Sequence, residues 1–322
     1  MAEFTADLLD RPAVQGVCAV ALAYLDDATA AAVRLGDGSD REALHAFRVA
    51  IRRLRVTVRA YPGIHESVPK KQRRRLRRLA RATNAARDAE VQLEWFNERS
   101  ARFTAAQRAA LAPFRARLRA RRRAELAQAR QKLQRWFGKT ERKLRRRLVA
   151  LLSDAGLHEA PFRAVAAATL VQYAGELDAR LADVTQSTDA DQLHATRIAA
   201  KRVRYLLEPL ESGLPGGAGT ERAPLVERLR QLQDLFGTLT DAHELEITLQ
   251  SDGEAVTAAA GVLRADVTAA LDELRNRSTP KGSGLKRDVE AAARRLRPSA
   301  KAARVPRSLQ RPARRRRRSV PA

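Results

Sequence analysis

The chain has 322 residues, enough to bury one large core or two smaller ones, and its 62 Lys and Arg against 37 Asp and Glu leave a formal charge of +25. A field of that size exceeds what solubility requires and points to a polyanionic partner. A lone cysteine, Cys18, excludes a disulfide framework and a Cys-based zinc site, while an apolar fraction of 44% rich in Ala, with only 4% aromatics, favours closely packed helices.

The first residues, MAEFTADLLD, lack the basic and apolar regions of a signal peptide, and the longest apolar run, Val17 to Leu25, is too short to span a bilayer. The expectation is a soluble, cytoplasmic protein without membrane attachment. A leading helix holds Tyr24. The next helix begins at Ser39 or Asp40, either a suitable cap, and ends at Pro62-Gly63. Within it, LHAFRVAIRRLR at 44–55 and the residues that follow place Leu44, Phe47, Ile51, Leu54, Val58 and Tyr61 at alternating steps of three and four, the stripe of one buried face. At 100° per residue, His45, Arg48, Arg52, Arg55 and Arg59 share a band roughly 80° wide, a little over 100° round from that stripe. Arg53 follows in the same basic run.

A long third helix carries Leu76, Leu79, Thr83 and Ala86, with a second cationic rail in Lys70, Arg74, Arg77 and Arg81 that continues through Asn84 to Asp88. The fourth helix is the basic stretch from about Thr104 to Leu152, with Gly138 as its kink point.

The same arrangement then recurs. At an offset of 149, LHATRIAAKRVR at 193–204 repeats LHAFRVAIRRLR, Pro161 matches Pro12, and Tyr173 matches Tyr24. Four extra residues later, Leu229, Leu232 and Asp241 match Leu76, Leu79 and Asp88. The twin rail is His194, Arg197, Lys201 and Arg204, with Arg202 and Tyr205 beside it and Asp189 or Asp191 as its cap; it is shorter, since Glu208 stands where the first half has Arg59. Gly213 to Gly219 reads as a loop, and a fourth helix runs from about Gly253 to Arg277. The expected organisation is a first helical half at 1–152, a second at 153–277, and a segment at 278–322 made of a flexible break, one short helix at 285–297 and a disordered basic tail. That tail holds ten basic residues from Arg297 onward and no acid; removing ten from +25 still leaves +15 on the body.

Like charges stacked along a helix repel by a few tenths of a kcal/mol per pair. A face selected for stability alone would intersperse Glu, so a doubled rail of guanidinium forks suits an elongated phosphate-rich anion. A single run of this kind is usually a solvated face; two runs in one register beside the same histidine argue against that. His45 and His194 read either as surface histidines at the core margin or as phosphate hydrogen-bond donors, and scattered histidines among arginines do not suit a metal. Asp88 and Asp241 read either as partners that orient nearby arginines or as tethers for the rail histidines. HELEIT at 243–248 has Thr248 where a triphosphate-tunnel signature needs Lys, and no GxxxxGK[ST], GxSxG or HExxH string occurs.

His45, Arg48, Arg52, Arg53 and Arg55, then His194, Arg197, Lys201, Arg202 and Arg204 followed by Tyr205, resemble the doubled His-x-x-Arg-x-x-x-Arg/Lys-Arg-x-Arg helix of the CHAD family, over residues 12 to 275. The resemblance implies an all-α fold of two related four-helix bundles with pseudo-twofold symmetry, binding inorganic polyphosphate in a basic central groove and associating with polyphosphate granules. The residues themselves, lacking acid/base partners and paired metal ligands, argue for no enzymatic step, no cofactor and no metal, and Asp88 and Asp241 match the family's third-helix aspartates in a supporting place. The other reading is a nucleic-acid-binding protein that uses its RPARRRRRS tail, although few aromatics are placed to stack bases, Trp95, Phe96, Trp136 and Phe137 reading as core.

Overall fold

The computed structural model describes residues 4–36, 40, 42–154, 160–184, 189–213, 222–277 and 284–296. Among them the fold is all-α: α1 (Ala13–Arg34), α2 (Ala43–Ala60), α3 (Pro62–Ser67), α4 (Lys70–Ala82), α5 (Asn84–Glu98), α6 (Ala105–Asp154), α7 (Phe162–Val184), α8 (Ala190–Leu207), α9 (Arg222–Leu249), α10 (Gly253–Arg277) and α11 (Gly284–Leu296). Asp189 caps α8 as expected, whereas α2 has Glu42 at its N-cap, with Asp40 two residues earlier bonding the first turn. Asp40 accepts from the backbone N–H of Glu42 and Ala43 at 2.9 and 3.0 Å, and Asp189 from that of Gln192 at 3.1 Å. Pro62 stops α2 and opens the short α3 at a position where a missing N–H costs nothing.

The long third helix expected in the first half is two helices. Thr83 breaks it: its hydroxyl turns back onto the Ala80 carbonyl at 2.9 Å, competing with the backbone ladder, and its own φ and ψ of −107° and 0° leave the helix. In the second half Phe236 and Gly237 occupy the matching register and α9 runs through unbroken. The helix expected to kink at Gly138 is continuous as α6, 50 residues long, a rise of ~75 Å.

Packing repeats between the halves, α1 on α2 as α7 on α8, and α2 on α4 as α8 on α9. The apolar cores, however, do not divide at residue 152. One joins α1, α2, the C-terminal half of α6, α7, α8 and α11; the other joins Leu93, Phe96, Phe103 and Phe114 of the first half to Leu245, Leu249, Ala259 and Leu263 of the second. α6 runs through both, which ties the halves together. The short helix expected after residue 284 is α11, and it is no appendage: Leu285, Val289, Ala293 and Leu296 are buried, with α11 packed on α7. α1 has the length and apolar composition of a membrane span, but half of that stretch is buried, Val17, Ala21, Tyr24 and Leu25 facing α2, α6 and α7 within the core. Of the expected loop from Gly213 to Gly219, Gly213 ends a 3-10 turn, Glu208–Gly213, and the rest, like the basic tail from residue 298, lies outside the described residues.

Candidate functional site

On α2 the buried side chains, Leu44, Phe47, Ala50, Ile51, Leu54, Thr57 and Val58 among them, take up most of the circumference. The strip left over is cationic: His45 and Arg59 are exposed, while Arg48, Arg52 and Arg55 are partly buried. α8 repeats this, with Leu193, Thr196, Ala199, Ala200 and Val203 inward and His194, Arg197 and Lys201 on the open side. Because α2 packs against α8, the two strips meet. Lys201 feels Arg52 across the gap as well as Arg197 and Arg204 on its own helix, and Arg202 feels Arg59. α4 forms one wall, its exposed Arg77 and Arg81 acting on Arg55, and Arg74 extending the row. α9 forms the other wall and brings Asp241 toward Lys201.

The crowding leaves an electrostatic signature. Burial, then the neighbouring Arg197 and Arg52, push the Lys201 ammonium down to about 6, with Asp241 opposing. Burial and Arg52 lower Arg48 to about 10, and burial with Arg77 and Arg52 lowers Arg55. His45 is lowered by burial and by Arg87. Asp88 is raised, chiefly by burial and despite Arg48, with Glu244 and Asp241 adding to the rise. The groove therefore holds cations in excess of its acids, and an anion entering it relieves repulsion already present in the fold.

Arg48 and Arg197, equivalent in the repeat, are both fixed by their third-helix neighbours. Arg48 donates to Thr83 Oγ1 at 2.8 Å and Asn84 Oδ1 at 2.9 Å; Arg197 donates to Thr240 Oγ1 at 2.6 Å and Asp241 Oδ1 at 3.0 Å. The Arg197 guanidinium lies over Gly237, where an added Cβ would stand 3.3 Å from Nη2. Asp241 thus orients an arginine directly. Asp88 does not: the break at Thr83 presents a hydroxyl and an amide one turn earlier, and Asp88 acts on Arg48 only through its charge. Among the described residues neither aspartate bonds a histidine. From the sequence Thr83 reads as part of the core stripe and Asn84 as a continuation of the rail, while Thr240 and Gly237 escape notice, since a lone threonine or glycine in a helix carries no signal until its neighbour is known.

Arg53, Arg204 and Tyr205, expected in the groove, are committed elsewhere. Arg53 pairs with Glu208 at 2.8 Å, their side chains 11% and 16% exposed, and its guanidinium stands 5.7 Å from the ring centroids of both Tyr24 and Tyr205. Arg204 reaches the same Glu208 at 3.3 Å and lies 5.0 Å over Tyr205, itself 2% exposed. The cause is Glu208, which replaces the arginine of the first half and draws both guanidiniums to itself. These groups bind α1, α2 and α8 together. Arg202, 4.0 Å from Glu176 and close to Arg59 and Tyr173, marks the groove's far edge.

A family model described as the CHAD domain matches residues 19–250. Among solved structures, the CHAD domain from the plant Ricinus communis is 24% identical, covers 92% of this chain and 98% of its own, and superposes with a TM-score of 0.63. PptA from Streptomyces chartreusis is 18% identical, covers 83% and 99%, and superposes at 0.57. At these identities the likeness concerns the fold. No curated protein matches the chain.

Proposed function

Because the chain belongs to the CHAD domain family, we propose that it binds inorganic polyphosphate in the groove between α2 and α8, as a binding protein that performs no chemistry on its ligand. The observation that carries this is the confrontation of Arg52 and Lys201 from opposing helices, with Arg197 beside them and Asp241 as the acid that offsets them. A chain of phosphates has one charge per repeat and non-bridging oxygens along its whole length. Arginine forks match those oxygens two at a time, and Arg48 and Arg197 are held in place in advance by the hydrogen bonds from α4–α5 and α9.

The groove also explains why the lysine sits at its centre. Phosphate oxygens arriving at Lys201 favour its charged form, so the ligand converts a group that burial keeps neutral into another contact. His45 and His194, exposed on α2 and α8 at the same register, serve as further donors, His45 gaining its second N–H as an anion raises its basicity. The large aromatics are engaged elsewhere: Trp95 Nε1 donates to Asp266 at 2.9 Å and the Trp136 ring lies 4.9 Å under Arg78, so bases of a nucleic acid find no platform there. Such a protein belongs where polyphosphate accumulates, in the cytoplasm and at polyphosphate granules.

Arginine-selective modification read by mass spectrometry tests the location. Polyphosphate should protect Arg52 and Arg55 while leaving Arg264, exposed on α10, as reactive as before. Equal reactivity of Arg52 with and without ligand would remove the groove from the account.

A further inference from the structure

The C-terminal half of α6 carries a cationic face that the groove does not use. Lys132, Arg135, Lys139, Arg142 and Arg146 follow one another at steps of three and four, which gathers them within about 80° of arc along a rise of ~21 Å. The buried Leu133, Phe137, Leu144 and Leu148 hold the opposite side of the helix to the core. Arg135, Lys139, Arg142 and Arg146 are exposed, and among the described residues none of the four forms an ion pair. Glu141, the acid of this stretch, is turned away and held by Arg145 at 2.5 Å, with Arg145 also reaching Asp26 of α1 at 2.6 Å.

α4 connects this face to the groove. It has eight Lys or Arg in 13 residues and no acid. Arg78 stacked 4.9 Å over Trp136, and Arg147 donating to the Ser67 carbonyl at 2.9 Å, fix α4 antiparallel along α6. On its other side Arg77 and Arg81 look into the groove toward Arg55. Positive charge therefore continues from α2 across α4 onto α6 with no acidic interruption. Self-repulsion of this kind costs stability, and Lys132, Arg135, Lys139, Arg142 and Arg146 have no acid three or four residues away to offset it. The unrelieved face on α6 is suited to an anion.

We propose that long polyphosphate chains leave the groove over α4 and continue along the exposed face of α6, so that this second surface gives the protein a preference for long chains over short ones. The proposal rests on the groove reading above. A flexible chain with a charge at every repeat can make the turn across one helix diameter, ~10 Å. Trp136, the aromatic nearest this face, is covered by Arg78, so the surface offers charge without stacking and suits bare phosphate over single-stranded nucleic acid.

The test compares a short linear phosphate of about six residues with one of about a hundred, across a salt series. The full chain is used, together with three variants: Arg135→Gln/Lys139→Gln/Arg142→Gln/Arg146→Gln on α6, Arg52→Gln/Lys201→Gln in the groove, and Arg314→Gln/Arg315→Gln/Arg316→Gln/Arg317→Gln as a charge-matched control in the tail. The α6 variant should bind the short chain within about twofold of wild type. It should bind the long chain at least tenfold more weakly, with the slope of log affinity against log salt shallower by about 3 for four lost phosphate contacts. Equal loss for short and long chains, no loss for the long chain, or an equal loss in the tail control would each overturn the proposal. So would an α6 variant that keeps its long-chain affinity but loses duplex DNA. A groove variant that retains the short chain would instead defeat the groove reading, whatever α6 does.

Discussion

Pro12 and Pro161, 149 positions apart and equivalent in the repeat, pair with each other. The Ala13 N–H donates to the Ala160 carbonyl at 2.9 Å and the Phe162 N–H to the Arg11 carbonyl at 2.8 Å. Exchanging the two halves exchanges the two bonds, the reciprocity of an isologous contact. The two chain segments that enter α1 and α7 are thereby locked to one another, and α2 and α8, which pack on them, are brought face to face. Phe162 continues the contact into the core, where it fills the space above Gly16.

Gly16 is therefore a stability determinant. A Cβ at this position would stand 2.5 Å from Phe162 Cγ, and Phe162, 1% exposed with its ring tilted 57° against Tyr61 at 5.8 Å, cannot yield. Gly16→Ala should cost about 1–3 kcal/mol by overpacking. Gly261→Ala, in α10 with nothing within 4 Å, should instead gain up to about 1 kcal/mol from helix propensity. Urea unfolding of the two variants checks both signs, and a Gly16→Ala protein as stable as wild type would contradict the packing described.

Stability and binding separate at Glu208. Glu208→Gln leaves Arg53 and Arg204 without their carboxylate at a junction of three helices, and should lower stability by about 1–3 kcal/mol while changing polyphosphate affinity little. Arg52→Gln should do the reverse. Denaturation midpoints and affinities measured side by side distinguish these outcomes, and a Glu208→Gln protein that loses its ligand would return Arg53 and Arg204 to the groove.

Lys201 makes binding depend on pH. In the free protein its ammonium is lowered to about 6, against an ordinary 10.5, because burial and Arg197 and Arg204 on α8 and Arg52 on α2 outweigh Asp241 on α9. Between those values the unfolded chain holds a proton that the folded chain does not, so ligand-free stability rises with pH across this window. Binding runs the other way: phosphate restores the proton, and affinity should fall as pH rises from about 6, by up to tenfold per unit. Lys201→Arg, charged throughout, should flatten that dependence while keeping affinity. Calorimetry in buffers of differing ionisation enthalpy reads the uptake directly; no proton uptake in wild type, or an unchanged profile in Lys201→Arg, would contradict the assignment.

The fold and the rails were legible in the sequence because they are periodic. Leu44, Phe47, Ile51 and Leu54 fix one face of α2, and the remaining strip follows by subtraction; the helix expected from about Gly253 to Arg277 is α10. Arg53, about 140° round the helix from Arg48, points away from the rail and pairs with Glu208. What could not be read were the pairings between distant segments. The helix break at Thr83, the recruitment of Arg53 and Arg204 by Glu208, and Asp266 of α10 joined to Trp95, Arg99 and Arg102 all depend on which helices become neighbours.

The most direct test of the central claim is affinity for long-chain polyphosphate, single-stranded DNA and duplex DNA at matched phosphate concentration and about 150 mM salt, for the full chain, a chain ending at Arg297, and Arg52→Gln/Lys201→Gln. Polyphosphate should bind most tightly and survive removal of the tail, and the groove variant should lose about a hundredfold, two charge-assisted contacts of about 1.5 kcal/mol each. DNA binding as tight as polyphosphate after the tail is gone, or a groove variant no weaker than one lacking two tail arginines, would contradict it.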